Sequence, residues 1–362
     1  MENGENVNNL PLWLRTGRVP HLDALRALAI AMVICSHLGM GFKGIIVGVF
    51  NGHLGVTLFF TISGFLITLL LLREYEGTGR ISLKAFYYRR VLRIFPAYYA
   101  YLLIGLGLSF AGALSISSGY WVSAFSYMMC YMPKLYNGWH IGHFWSLAVE
   151  EHFYMLWPLI LVAFSPARAW KCILLYVICI PFIRYGVWAF HWDWLDIDFC
   201  SITQMSSIAL GCLLAFILRG DILGQASERF RRRPGLFVVF GVVLLLLSHA
   251  ACRSGKYIIF FSDPVNALAC CMVMGGLLYV KNPFVIGVLN NKTTYFFGAL
   301  SYSLYIWQQP FSGPALVGEM SAMWRLICLF GAALASYYII EKPFLMMKER
   351  KAIKTKGETK SR

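Results

Sequence analysis

The chain has 362 residues, 59% of them hydrophobic and only 14% charged, and its mean hydropathy of +0.63 lies far above that of a soluble domain. The formal charge of +15 does not point to nucleic acid, because the basic residues stand in short clusters between apolar stretches and in the tail, where membrane topology puts them. The ten cysteines contain no Cys-x-x-Cys pair and fall mostly within apolar stretches, which argues against a disulfide framework, a redox centre or a metal site.

Residues 1–21 read as a cytoplasmic segment, with Arg15 and Arg18 before the first apolar run and no small-residue cleavage site after it; the first span is expected to be a retained signal anchor. Apolar stretches of spanning length follow at about 22–39, 54–72, 96–114, 145–165, 171–190, 203–219, 236–250, 264–280, 295–311 and 322–341. A weaker patch at about 120–133, interrupted by polar residues, is expected at the interface. The fold class expected is therefore all-α, a polytopic membrane protein of about ten transmembrane helices. One transmembrane domain spans residues 22–345, and a basic tail follows at 346–362.

The loops fix the expected orientation. Arg73, Arg80, Lys84, Arg89, Arg90 and Arg93 fall in the second loop, Arg219, Arg229, Arg231, Arg232 and Arg233 in the sixth, and seven more basic residues from Lys348 to Arg362 in the tail. The alternate loops carry little beyond Lys43, Lys134, Arg253 and Lys256, and one is acidic, with Asp193, Asp196 and Asp198. The positive-inside rule places both termini in the cytoplasm. The nominal glycosylation sequon at Asn291 then lies inside and carries no meaning.

Four stretches set polar groups in this apolar background. In HLDALRALAIAMVICSH (His21 to His37), eleven helical residues bring His37 to within about 20° of the Arg26 face, some 16 Å further along the axis. Asp23 stands three residues before Arg26, on the same face. Snorkelling explains Arg26 and an interhelical hydrogen bond explains His37; alternatively, the two form a polar line that suits an event crossing the bilayer. GVTLFFTISGFL carries Ser63-Gly64, for which a kink or close helix packing is the plain explanation. RRVLRIFPAYY puts Arg90 and Arg93 on one helical face, able to clamp the phosphates of an anionic ligand. HFWSLAVEEHFYMLWP sets Ser146, Glu150 and Glu151 at the start of a span, at a depth expected to match His37.

In this order, these stretches resemble the acyltransferase 3 family of multi-span membrane acyltransferases that modify bacterial glycans. Arg26 and His37 match its arginine, ten residues, histidine pattern; FFTISGFL, Arg90 to Arg93, FWSLAVEEHFYMLWP, LSYSLYIWQQPF (Leu300 to Phe311) and IIEKPF (Ile339 to Phe344) resemble its later motifs. Gln308 stands where many members have histidine. The resemblance implies an O-acyltransferase, most often an O-acetyltransferase, in a bacterial cytoplasmic membrane. It has no permanently bound cofactor and no metal. Its donor is a cytoplasmic acyl-CoA, commonly acetyl-CoA, and its acceptor a hydroxyl of a surface, secreted or lipid-linked glycan.

His37 is then the general base, Glu150 orients it or holds the sugar, and Arg90 and Arg93 bind the CoA phosphates. Arg26 holds the donor or polarises its thioester. Ser63, Ser146 and Asp23 are supporting candidates, and nothing in the sequence places a base beside Ser63. The alternatives are acylation of a small lipophilic molecule such as a macrolide, by the same chemistry, and, from another class, a membrane transporter; the chain shows no paired halves with interrupted helices.

Overall fold

The computed structural model describes residues 19–39, 51–132, 138–190, 196–220, 222–313 and 318–347, except 20 and 319. Most of the expected N-terminal segment and tail, with Lys43, Lys134 and Asp193, lie outside them. The described residues form helices and no strand: α1 (Leu22–His37), α2 (Gly52–Thr78), α3 (Leu83–Phe110), α4 (Ser118–Phe125), α5 (Trp139–Gly142), α6 (Phe144–Phe164), α7 (Pro166–Ala189), α8 (Ser201–Arg219), α9 (Gly224–Arg232), α10 (Pro234–Ala251), α11 (Gly255–Phe260), α12 (Ser262–Leu277), α13 (Pro283–Leu289), α14 (Lys292–Ser312) and α15 (Ala322–Ala335). A π-helical turn, Ser336–Glu341, continues α15.

Each expected span falls on one of these helices, and among the described residues seven helices are long and apolar enough to cross a membrane. The three that are not fall short in two ways. α1 and α12 have only 16 residues each, and α14 interrupts its apolar run with Ser301, Tyr302, Ser303, Gln308 and Gln309. α1 packs between α2 and α14, and α12 against α8, α10 and α2. Of the interrupting residues of α14, Ser301, Ser303, Gln308 and Gln309 are buried, and a face shielded from lipid by its neighbours does not need a lipid-like sequence.

Small residues set how closely the helices approach. Gly64 of α2 lies against the Ile208 carbonyl of α8, and Gly211 of α8 lies against the Thr61 carbonyl of α2, so a Cβ at either position would run into backbone. The Ser63-Gly64 pair is thus a packing contact, one of the two plain explanations of the sequence. Gly64→Ala must push α2 from α8, and overpacking of this kind costs about 1–3 kcal/mol. We expect a lower midpoint in detergent thermal unfolding, with Gly77→Ala, which meets nothing, as the neutral control.

The third span departs from expectation. The apolar stretch is expected at about 96–114, yet α3 begins at Leu83, where Ser82 Oγ accepts the Ala85 amide at 3.3 Å. Pro96 sits inside α3, and neighbouring helices make that tolerable. Arg89, Arg90 and Arg93 therefore stand on a helix rather than in a loop. In the 120–133 patch, Tyr120, Trp121, Met129 and Cys130 are buried, and Tyr98 donates to the Ala124 carbonyl at 2.7 Å.

The end of the bundle away from the basic loops is tied by a buried carboxylate that the sequence did not single out. Asp263 at the start of α12 lies 2.7 Å from His53 Nε2 and accepts from Arg184 Nη1 and Gln204 Nε2, each at 2.8 Å. Four helix ends (α2, α7, α8 and α12) meet on one charge. All ten cysteines are free.

Candidate active site

A cavity of about 500 Å³ opens among α1, α2, α3, α6 and α14 at the basic end of the bundle. Its charged lining comes from three helices. α3 contributes Arg89, Arg90 and Arg93, α1 contributes Asp23 and Arg26, and α6 contributes Glu150. Arg26 pairs with Asp23 at 3.6 Å, as their spacing predicts. The Arg90 guanidinium stacks 4.9 Å from the Tyr154 ring and 5.5 Å from Phe86, which fixes its plane and leaves its N–H edge for an anion. Arg89 is engaged elsewhere, donating to Glu74 at 2.9 Å.

Two further pairs complete the lining. Ser63 Oγ donates to Glu150 Oε1 at 2.6 Å, so the expectation that no base lies beside Ser63 is corrected. At the far end, Ser146 Oγ and Tyr305 OH lie 2.5 Å apart and share a hydrogen bond, and whichever hydroxyl is not the donor in it can donate to the His143 carbonyl, 3.2 Å from Ser146 Oγ and 3.1 Å from Tyr305 OH.

His37 does not line this cavity. It sits beyond it, with Nδ1 3.0 Å from Gln308 Oε1 and its ring edge-on to Trp139 at 5.9 Å. Gln308 is three residues past Tyr305, one helical turn, and is 1% exposed. Glu150, expected to orient His37, is instead bonded to Ser63. The reason is depth: Glu150 lies six residues into α6, about 9 Å from its first turn, and faces α2 rather than the end of α1.

The structure thus brings Asp23, Arg26, Ser63, Arg90, Arg93, Ser146 and Glu150 around one cavity and sets His37 one turn past it. Sequence reasoning missed Tyr302, Tyr305, Gln308 and Glu341. A signal existed for the first three, which recur every third residue along an otherwise apolar span. Tyr302 donates to the carbonyl of Ile94, the residue after Arg93 on α3, at 2.7 Å. Glu341 had no such signal, because the π turn at Ser336–Glu341 changes the helical register and turns its buried carboxylate toward Ser303, which donates to it.

The family model described as an acyltransferase domain, Acyl_transf_3, matches residues 19–342. The chain belongs to the acyltransferase 3 family. Among curated relatives, it is 28% identical over 322 residues to a Staphylococcus aureus (strain COL) protein whose name gives O-acetyltransferase activity as an inference, with 80% of this chain and 50% of the relative covered. It is 27% identical over 367 residues to peptidoglycan O-acetyltransferase OatA of Listeria monocytogenes, with 90% of this chain and 55% of the relative covered. The chain therefore spans about half the length of the curated relatives it matches. No solved structure matches it.

Proposed function

We propose that this acyltransferase takes an acetyl group from acetyl-CoA on the cytoplasmic side of a bacterial cytoplasmic membrane. It delivers the group to a hydroxyl of a cell-envelope glycan on the other side. The observation that carries the reading is the stacking of two chemistries along one axis. Arg26, Arg90 and Arg93 line a deep cavity at the basic end, and a histidine with one nitrogen already occupied stands a single turn past the cavity's far end. Arginine forks suit the pyrophosphate of CoA, and a long cavity accepts its thiol arm. The names of the relatives favour peptidoglycan or a similar glycan as acceptor.

In the reaction, the acceptor oxygen attacks the thioester carbonyl while His37 Nε2 takes its proton. The C–S bond then breaks, CoA leaves as the thiolate, and the proton returns to it. His37 can act as base only with its Nε2 lone pair free, and a hydrogen bond from Nδ1–H to Gln308 Oε1 keeps that tautomer. Gln308→Leu is expected to lower kcat about tenfold, the equivalent of one lost hydrogen bond. Gln308→Glu puts a carboxylate beside the imidazole and raises its pKa; because the base must be neutral, the acidic limb of the pH profile of kcat moves to higher pH.

The whole reading is tested in sealed membrane vesicles of known sidedness, with acetyl-labelled acetyl-CoA supplied only at the cytoplasmic face. Label in glycan on the opposite face is the expected result. Protein-dependent uptake of intact label with no acylated product would favour transport instead.

A further inference from the structure

A second cavity, of about 360 Å³, opens at the same basic end where the first turn of α1 meets the junction of α13 and α14. It shares Val19 and Asp23 with the arginine-lined cavity, so the two adjoin. The remainder of its polar wall is uncharged: His21, Asn290, Asn291, Thr294 and Tyr295. His21 is only 6% exposed and holds a left-handed backbone, φ 63°, which residues other than glycine rarely adopt. Asn290 Oδ1 fixes its amide at 3.2 Å. Its imidazole Nδ1, in contrast, is buried with no hydrogen-bond partner in the protein, a state folded chains avoid unless a ligand supplies the partner. Asn291 caps the 21-residue α14 by accepting the Thr294 amide at 2.9 Å.

We propose that this cavity seats the nucleotide end of the acyl-CoA donor, an inference that rests on the donor reading above. With the thiol arm in the deep cavity and the pyrophosphate on Arg90 and Arg93, the purine and its ribose must lie at the mouth. A purine edge presents both donors and acceptors, matched by the His21 imidazole and the Asn290 carboxamide. Tyr295, 53% exposed, offers a ring face for stacking. Asp23, between the two cavities, supplies an acceptor for a ribose hydroxyl.

The test compares two donors on each protein: acetyl-CoA and the acetyl thioester of 4′-phosphopantetheine, which lacks the nucleotide. Wild type should prefer acetyl-CoA through KM. His21→Ala, Asn290→Ala and the surface variant Tyr295→Ala should each reduce the ratio of kcat/KM for the two donors about five- to tenfold, the value of one lost contact. The short donor is an internal reference for folding in each variant. If wild type uses acetyl-CoA and the ratio is unchanged in all three variants, the subsite is refuted while the donor reading stands. Wild type that uses neither thioester overturns the donor reading and the subsite with it.

Discussion

His37→Ala should lower acetyl transfer by about 10²- to 10⁴-fold, the usual contribution of a positioned general base, with little change in KM for the donor. The reason for separating kcat from KM is geometric. His37 lies outside the arginine-lined cavity and makes its side-chain contact with Gln308, so its loss leaves donor binding intact. Truncation removes the ring's hydrogen bond to Gln308 and its edge contact with Trp139, so rates are normalised to the folded protein recovered for each variant. The measurement is initial rate against acetyl-CoA concentration at fixed acceptor. A variant that keeps wild-type kcat would move the base assignment elsewhere, with Glu150 the first residue to examine because it already accepts a proton-bearing partner, Ser63, at 2.6 Å.

The second large effect should appear on the other parameter. Arg90→Gln and Arg93→Gln each remove a charge-assisted contact to phosphate, worth about 1.5–3 kcal/mol, and so should raise KM for acetyl-CoA by about 10- to 100-fold with kcat less affected. Arg90→Lys should rescue poorly. The guanidinium of Arg90 is held flat between Tyr154 and Phe86, a geometry that an ammonium on a flexible stem does not reproduce. If instead kcat falls and KM is constant, the arginines act on the transition state rather than on donor binding.

The bundle was legible because hydropathy is a local property: each expected apolar stretch lies on a helix, with the ends set by caps such as Ser82 and Asn51. Arg26 was legible for the same reason, as charge in a stretch that should have none, while Arg90 and Arg93 stood out by falling on one helical face. What could not be read was pairing. Whether Glu150 meets His37 or Ser63 depends on the relative height of α1, α2 and α6, and that height is set by contacts between different helices, such as Gly64 on Ile208 and Gly55 on the Ala29 carbonyl. Gln308 looked like a departure from a motif; in space, it is the residue that touches His37. The basic cluster before Pro96 reads as a loop because hydropathy marks where the apolar stretch starts, while α3 starts earlier, at Leu83.

The hydrogen bond between Ser146 and Tyr305 has a bearing on the membrane as a whole. A deep polar recess entered from one side, with a titratable imidazole just past its floor, is most of a proton wire, and each charge that leaked along it would dissipate about 2.3 kcal/mol per 100 mV of potential. Two neutral hydroxyls, Ser146 and Tyr305, bonded to each other and to the carbonyl of His143, stand at that floor. The same pair that bounds the chemistry thus sets side chains, rather than an open column of water, between the recess and the imidazole.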